Sequence, residues 1–237
     1  MSVTGIVAAL TFEARSLGHH NGHTLVSVSG IGADNAARAA RSLAAAGAAA
    51  LLSWGVAGAL DPSLRCGTVV LPLEVLAAGT RFQTDRLWHQ GVARALQGKI
   101  TLASGALLTS EVAVVAAAHK GRVFQHTGAV AVDMESAAVA GVAAELALPF
   151  LALRVILDTA HDSLPDSVVR SFQAPSSAAA GVSTTPAGPR IWPLLCAPGD
   201  WGGLLRLAAQ YRVAARALGA SRRLAGPALM AAARIDR

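Results

Sequence analysis

The chain alternates short apolar runs with stretches of helical periodicity, and the runs have the length and bulk of buried strands. Gly5–Leu10 (GIVAAL) predicts a central strand that delivers Thr11, Phe12, Glu13 and Ala14 past its end. HHNGH, residues 19–23, centres on Asn21-Gly22, a hairpin-turn signal, so Thr24–Ser29 is expected to return as the partner strand. Gly30-Ile31-Gly32 predicts a tight turn that lets a backbone amide approach a ligand, followed by a helix capped by Asp34 or Asn35 and running to Ala46. Ala48–Trp54 predicts the next buried strand, ending in the small-residue stretch GVAGALDP, residues 55–62. Gly67–Leu71 and Ile100–Leu108 predict further strands, with a polar, basic loop over Thr80–Trp88 between them. Thr109-Ser110-Glu111 is expected to cap a short Ala-rich helix.

The most coherent pattern runs from Ala129 to Asp162. Asp133 is placed to cap a helix over Met134–Leu146, with Val139, Val142, Ala143 and Leu146 on one face. Pro149 ends it, and Phe150–Leu157 is an apolar strand that stops on Asp158. A carboxylate just past a buried parallel strand lies where open α/β sheets bind ligands, and Glu135 can point into the same crevice. The whole predicts a three-layer α/β/α fold around a central mixed, mostly parallel sheet. After Phe172 the composition changes. The expected organisation is a catalytic domain over residues 1–172, a Pro/Ser/Gly-rich loop or linker over 173–199, and a basic helical tail over 200–237 packed on the domain. In that tail Asp200 opens a helix over Trp201–Leu218, with Leu204, Leu205, Leu207, Ala208 and Tyr211 as its apolar stripe.

Composition narrows the classes. At 53% hydrophobic and 14% charged, the 237-residue chain is excluded from general disorder and suffices for one full core. The net charge of +6 comes almost wholly from arginine, Lys99 and Lys120 being the only lysines. The arginines are scattered without interleaved aromatics, which argues against nucleic acid. They thicken in the tail at Arg206, Arg212, Arg216, Arg222 and Arg223, as a solvated face or a peripheral contact with an anionic membrane. Cys66 and Cys196 are isolated, indicating a reducing compartment without disulfides or a zinc site. The histidines of residues 19–23 lack a carboxylate or cysteine at ligand spacing, so no metal is expected. Gly47, Ser53, Gly55 and Gly58 interrupt the apolar stretch Leu43–Leu60, which otherwise raises a transmembrane question, and no signal peptide opens the chain; a cytoplasmic protein is expected.

Three strand ends thus converge: Glu13, the GVAG stretch and Asp158, with Met134-Glu135 beside them. Breaking an N-glycosidic bond needs such a set. An acid must protonate the leaving base, a carboxylate must hold the ribose hydroxyls, and another must activate the attacking water. Asp158, Glu135 and Glu13 can fill those roles in that order. The small residues Val56, Ala57 and Gly58 let a flat ligand lie against the backbone, and Gly32 offers an amide. A catalytically dead nucleoside sensor is the alternative, though it would need neither the acid nor the water base; a basic membrane- or nucleic-acid-binding module is the other.

The segments ALTFEA (9–14), SGIG (29–32), GVAGALDP (55–62), VDMESAAVA (132–140) and PFLALRVILDTA (149–160) resemble the nucleoside phosphorylase and methylthioadenosine/S-adenosylhomocysteine nucleosidase superfamily over about residues 5–172. The resemblance implies a homo-oligomer without metal or organic cofactor, phosphate being a potential co-substrate. It implies that Glu13 activates water, Met134 packs under the ribose, Glu135 binds its 2′- and 3′-hydroxyls and Asp158 protonates purine N7. Arg154 matches an arginine near the strand end, in a supporting role. There are departures. Val56 replaces a small polar residue, Ala106–Leu108 lacks the aromatic that stacks on adenine, and the loop after Gly79 is short. The tail from Pro175 to Leu218, with ALTFEAR and VDMES, resembles the hopanoid-associated phosphorylase subgroup. That implies release of adenine from adenosylhopane in bacteriohopanepolyol synthesis, with methylthioadenosine or S-adenosylhomocysteine as the alternative substrate. Phosphorylases of the superfamily carry a glycine- and arginine-containing phosphate loop after the first strand. Glu13 stands there, and its charge favours water even with Arg15 and Arg81 as available cations.

Overall fold

The computed structural model describes residues 3–18, 23–163 and 201–230. Its spine is β3 (Ala48–Ala59), a twelve-residue strand with β1 (Val3–Ala8) parallel on one side and β10 (Phe150–Asp158) parallel on the other. β2 (Thr24–Val28) flanks β1, while β4 (Val69–Val70) and β7 (Leu102–Ala103) continue beyond β10. At its far end β3 turns to a second set of partners. Gly58 and Ala59 pair with β9 (Ala131–Asp133), and the order runs on through β8 (Ala106–Thr109), β5 (Glu74–Ala77) and β6 (Thr80–Gln83). The sheet is mixed and mostly parallel, as expected.

Among the described residues six helices cover the two faces: α1 (Thr11–Ser16), α2 (Ala33–Ala45), α3 (Arg86–Leu96), α4 (Ala117–Thr127), α5 (Ser136–Glu145) and α6 (Trp201–Leu229). On one face α2 and α5 meet through Ala36, Ala39, Ala40, Leu43, Val139, Val142 and Ala143, small side chains that let the helices approach closely. On the other, α1, α3 and α6 pack around Trp54, Trp88, Leu151, Leu153, Leu218 and Leu229. Burial on both faces is why the central strands read as continuous apolar runs rather than alternating ones.

Several expectations are corrected. Thr4 lies opposite Thr24 and Ala8 opposite Val28 in parallel register, with α1 between the strands, so Asn21-Gly22 joins no hairpin; residues 19–22 themselves lie outside the described residues. The chain enters α1 at Leu10 instead of turning back, because the Glu13 carboxylate caps that helix start. β3 does not end at Trp54 but continues through Ala59, since β10 and β9 supply partners there. Gly32, not Asp34 or Asn35, caps α2, and Asn35 instead donates to the Ile31 carbonyl at 2.9 Å. Thr80–Trp88 is β6 and the start of α3 rather than a loop. Ala78 and Gly79, at φ 42° and 81°, make the two-residue hairpin turn between β5 and β6, and Asp85 caps α3 by accepting the Trp88 N–H at 2.8 Å. Ile100–Leu108 breaks into β7 and β8 at Gly105, whose φ of 142° suits glycine alone.

Thr109 caps no Ala-rich helix. Its hydroxyl accepts the Ala137 N–H at 3.0 Å and so serves the start of α5. That helix begins at Ser136 with Glu135 in the cap position, and Leu146 is 45% exposed rather than buried. α6 runs past Leu218 to Leu229, and its buried stripe is Ala214, Leu218, Ser221, Ala225 and Leu229; Ala208 and Tyr211 are exposed. The predicted linker over 173–199 lies outside the described residues. Among the described residues no helix is long and apolar enough to cross a membrane.

Candidate active site

The first turn of α1 aims Glu13 inward. Its Oε2 accepts the Leu10 N–H at 2.8 Å and its Oε1 the Val56 N–H at 2.9 Å, which ties the end of β1 to the middle of β3. Gly55 makes this fit possible: a Cβ there would lie 2.5 Å from Oε1. The small residue at 55 therefore makes room for a carboxylate rather than for a ligand. Burial pushes the Glu13 carboxyl up, against the Arg154 guanidinium and the amides of Val56 and Leu10. A buried glutamate with a raised proton affinity is what a water base requires.

Glu135 stands at the mouth of α5. Its Oε1 accepts the Gly32 N–H at 3.0 Å and its Oε2 the Met134 N–H at 3.3 Å, so the GIG turn serves to orient this carboxylate. Burial and then the nearby Asp133 charge raise it to about 7, against Arg154 and the Gly32 amide, with Glu13 adding to the rise. Both glutamates thus face one guanidinium and each other.

Arg154 projects from β10 toward both glutamates, 3% exposed. Its Nε donates to Asp133 Oδ2 at 2.7 Å, and one terminal nitrogen donates to Ser53 Oγ at 2.7 Å and Ser136 Oγ at 2.9 Å. Among the described residues its Nη1 is buried without a hydrogen-bond partner, so one charged donor is left for a bound oxygen. Sequence reasoning saw Asp133 only as a helix cap and missed Ser53 and Ser136. A signal was present at Ser53, a hydroxyl inside an apolar strand, which must find a buried partner.

Asp158 ends β10 opposite Gly58, where a Cβ would come within 3.3 Å of Oδ2. Burial pushes its carboxyl up, opposed by the ammonium of Lys120, which bonds Oδ2 directly. Lys120 was the other residue that sequence reasoning missed; a lone lysine in an Ala-rich helix carries little signal. Asp158 is four positions beyond Arg154, about 13 Å along the strand, which sets the acid apart from the glutamate pair. Val56 contributes its amide, Met134 is half-buried beside Glu135, and Ala57 turns its methyl into the core under α2 and α5. Arg81 lies away on the β5–β6 hairpin, paired with Glu74 at 2.9 Å, and Arg15 is exposed on α1.

The raised carboxyl of Glu135 makes stability depend on pH. Its folded value of about 7 exceeds the ordinary 4.5, so its contribution is full below 4.5 and is lost as pH rises through 7. Glu135→Gln, which stays neutral, is expected to remove up to about 3 kcal/mol of that loss. Urea unfolding at pH 5 and pH 8 checks this: the variant should be the more stable protein at pH 8, and equal slopes in both proteins would refute the assignment.

A family model described as the phosphorylase superfamily matches residues 7–185. Among solved structures, native futalosine hydrolase of Helicobacter pylori strain 26695 superposes with a TM-score of 0.72 at 17% identity, covering 95% of this chain and 97% of that one. The 5′-methylthioadenosine/S-adenosylhomocysteine nucleosidase of Neisseria meningitidis, in complex with methylthio-immucillin-A, gives 0.70 at 18% identity over 98% and 99%. The corresponding nucleosidase of Helicobacter pylori gives 0.62 at 21% identity over 68% and 86%. At these identities the likeness is one of fold. No curated protein sequence matches.

Proposed function

This chain belongs to the phosphorylase superfamily, and from that membership we propose that it cleaves the N-glycosidic bond of a 5′-substituted adenosine and releases adenine. The observation that carries the reading is the set of three buried carboxylates, Glu13, Glu135 and Asp158, held at neighbouring ends of β1, β9 and β10. Asp158 gives its proton to purine N7 as the bond to C1′ breaks, and the bonding pair leaves with the base. Glu135 accepts hydrogen bonds from the ribose hydroxyls and bears on the cationic ring. Glu13 takes the proton of the water that attacks C1′. The acceptor is water rather than phosphate: the buried Glu13 carboxylate occupies the ground a phosphate dianion would need, and Arg81 is engaged elsewhere.

For the 5′ group the reading favours adenosylhopane. Support comes from the subgroup resemblance and from α6, where Arg212, Arg216 and Arg223 are exposed at helical spacing next to exposed Tyr211 and Val213. Such a face suits an anionic membrane holding a lipid-linked substrate. Methylthioadenosine or S-adenosylhomocysteine is the second reading, favoured by the nucleosidases of the same fold. The test is adenine release from adenosylhopane and from methylthioadenosine, each with and without phosphate. Release from the hopanoid alone, independent of phosphate, is the expected result. Turnover of methylthioadenosine alone selects the second reading, phosphate dependence overturns the choice of water, and no release overturns the enzyme.

A further inference from the structure

Lys120 is fully buried on α4, and its ammonium is satisfied on three sides. It bonds Asp158 Oδ2, the Thr159 carbonyl at 2.8 Å and the Asp162 carbonyl at 3.0 Å. Burying an ammonium costs several kcal/mol unless its partners are well placed, and here the turn after β10 aims two carbonyls at it. That turn is itself fastened. The Asp162 carboxylate accepts the Thr159 N–H at 2.9 Å and hydroxyl at 2.8 Å, and from α6 it accepts Gln210 at 2.8 Å and Arg206 at 3.2 Å. The C-terminal helix thus braces the turn that holds the ammonium against the acid.

We infer that Lys120 is a positioning residue for the acid: it occupies Oδ2 of Asp158, leaves Oδ1 to carry the proton, and stabilises the carboxylate that remains once the base has taken that proton. The inference rests on the reaction proposed above. The reaction starts from the protonated form of Asp158, with the proton on Oδ1 and Oδ2 accepting from Lys120. As the C1′–N bond breaks, the Oδ1 proton passes to N7, adenine leaves with the bonding pair, and Asp158 becomes a carboxylate paired with the ammonium. Solvent restores the proton after release.

The other groups facing Asp158 do not substitute for Lys120. Asp162, from the turn after β10, repels its charge. Cys66, from the turn before β4, is pushed up to about 11 by burial and by Asp158 and Asp162, so it faces the site as a neutral thiol. Arg206 of α6 reaches the site only through Asp162, with its side chain 69% exposed. Lys120 is the cation in direct contact with the acid.

The test reads Asp158 itself. In substrate-free protein the ¹³C-carboxyl resonance of Asp158, assigned by its loss in Asp158→Asn, is titrated in wild type, Lys120→Met and Lys120→Gln. Both variants are expected to raise the midpoint by about one pH unit or more. Lys120→Gln, which keeps a donor, serves if the methionine variant does not fold. Turnover then separates acid strength from architecture. With adenosylhopane, kcat for adenine release should fall about 10-fold or more at near-constant KM. With the 4-nitrophenyl glycoside of the same 5-substituted ribose, whose leaving group needs no proton, kcat should stay within about 2-fold. An unmoved midpoint, or equal losses on both compounds, overturns the inference. A wild type that cleaves neither compound yet shows the midpoint shift overturns the proposed reaction and leaves the Lys120–Asp158 coupling established.

Discussion

Asp158→Asn is expected to lower kcat for adenine release in the proposed reaction by about 10³-fold, the middle of the range general acids contribute, with little change in KM. The amide is nearly isosteric with the carboxyl. It can still accept from Lys120 through its oxygen and offer N–H to N7, so the base is held as before. It has no proton to give, and an adenine anion is a poor leaving group. The substitution also leaves the buried Lys120 ammonium without its counter-charge, so unfolding must be measured alongside turnover. A folded variant with wild-type kcat would remove Asp158 from the chemistry, and a fall confined to KM would make it a binding group only.

The layered fold was legible because its central strands are buried on both faces. GIVAAL, AAALLSWG and FLALRVIL cannot be anything polar-faced, and the helices between them are marked by alanine at helical spacing. What escaped was pairing. Asn21-Gly22 has the chemistry of a hairpin turn, but strand direction was decided eight residues earlier, where Glu13 caps α1 and Trp54 Nε1 donates to the Glu13 carbonyl at 3.2 Å. The edge strand β6 was read as part of a loop over Thr80–Trp88 because its residues are polar and mostly exposed, and only pairing with β5 makes it sheet.

The site divides in the same way. Glu13, Glu135 and Asp158 stand beside element ends that the apolar pattern marks, so strand topology alone points to them. Lys120, Ser53 and Ser136 act through contacts across 38, 101 and 18 residues, which no local pattern encodes. The glycines carry a related lesson. The sequence marks Val56, Ala57 and Gly58 only as small residues, whereas the structure also shows Gly55 and Gly58 admitting the carboxylates of Glu13 and Asp158 against β3.

Asp133→Ala is expected to cost about 3–5 kcal/mol of unfolding free energy, the usual consequence of breaking a buried ion pair from one side. The Asp133 and Arg154 side chains are 1% and 3% exposed and meet at 2.7 Å, so the guanidinium would lose its directly bonded counter-charge and keep two serine hydroxyls as hydrogen-bond partners and Glu13 and Glu135 as nearby charges. The same change acts on the neighbouring glutamate. Asp133 raises Glu135 by repulsion, and Arg154 lowers it. Removing the first and leaving the second uncompensated should bring the Glu135 midpoint down from about 7 toward the ordinary carboxylate range. Stability and titration therefore move for one reason, and both are measurable on the free protein by urea unfolding and carboxyl NMR. The double variant Asp133→Leu, Arg154→Met separates the functional part. Replacing both charges with apolar groups of similar size should recover most of the lost stability, yet it strips the site of the cation that balances Glu13 and Glu135, so turnover should stay low. Recovery of turnover along with stability would reduce the ion pair to a core brace, and Arg154 would have no part in holding the two glutamates.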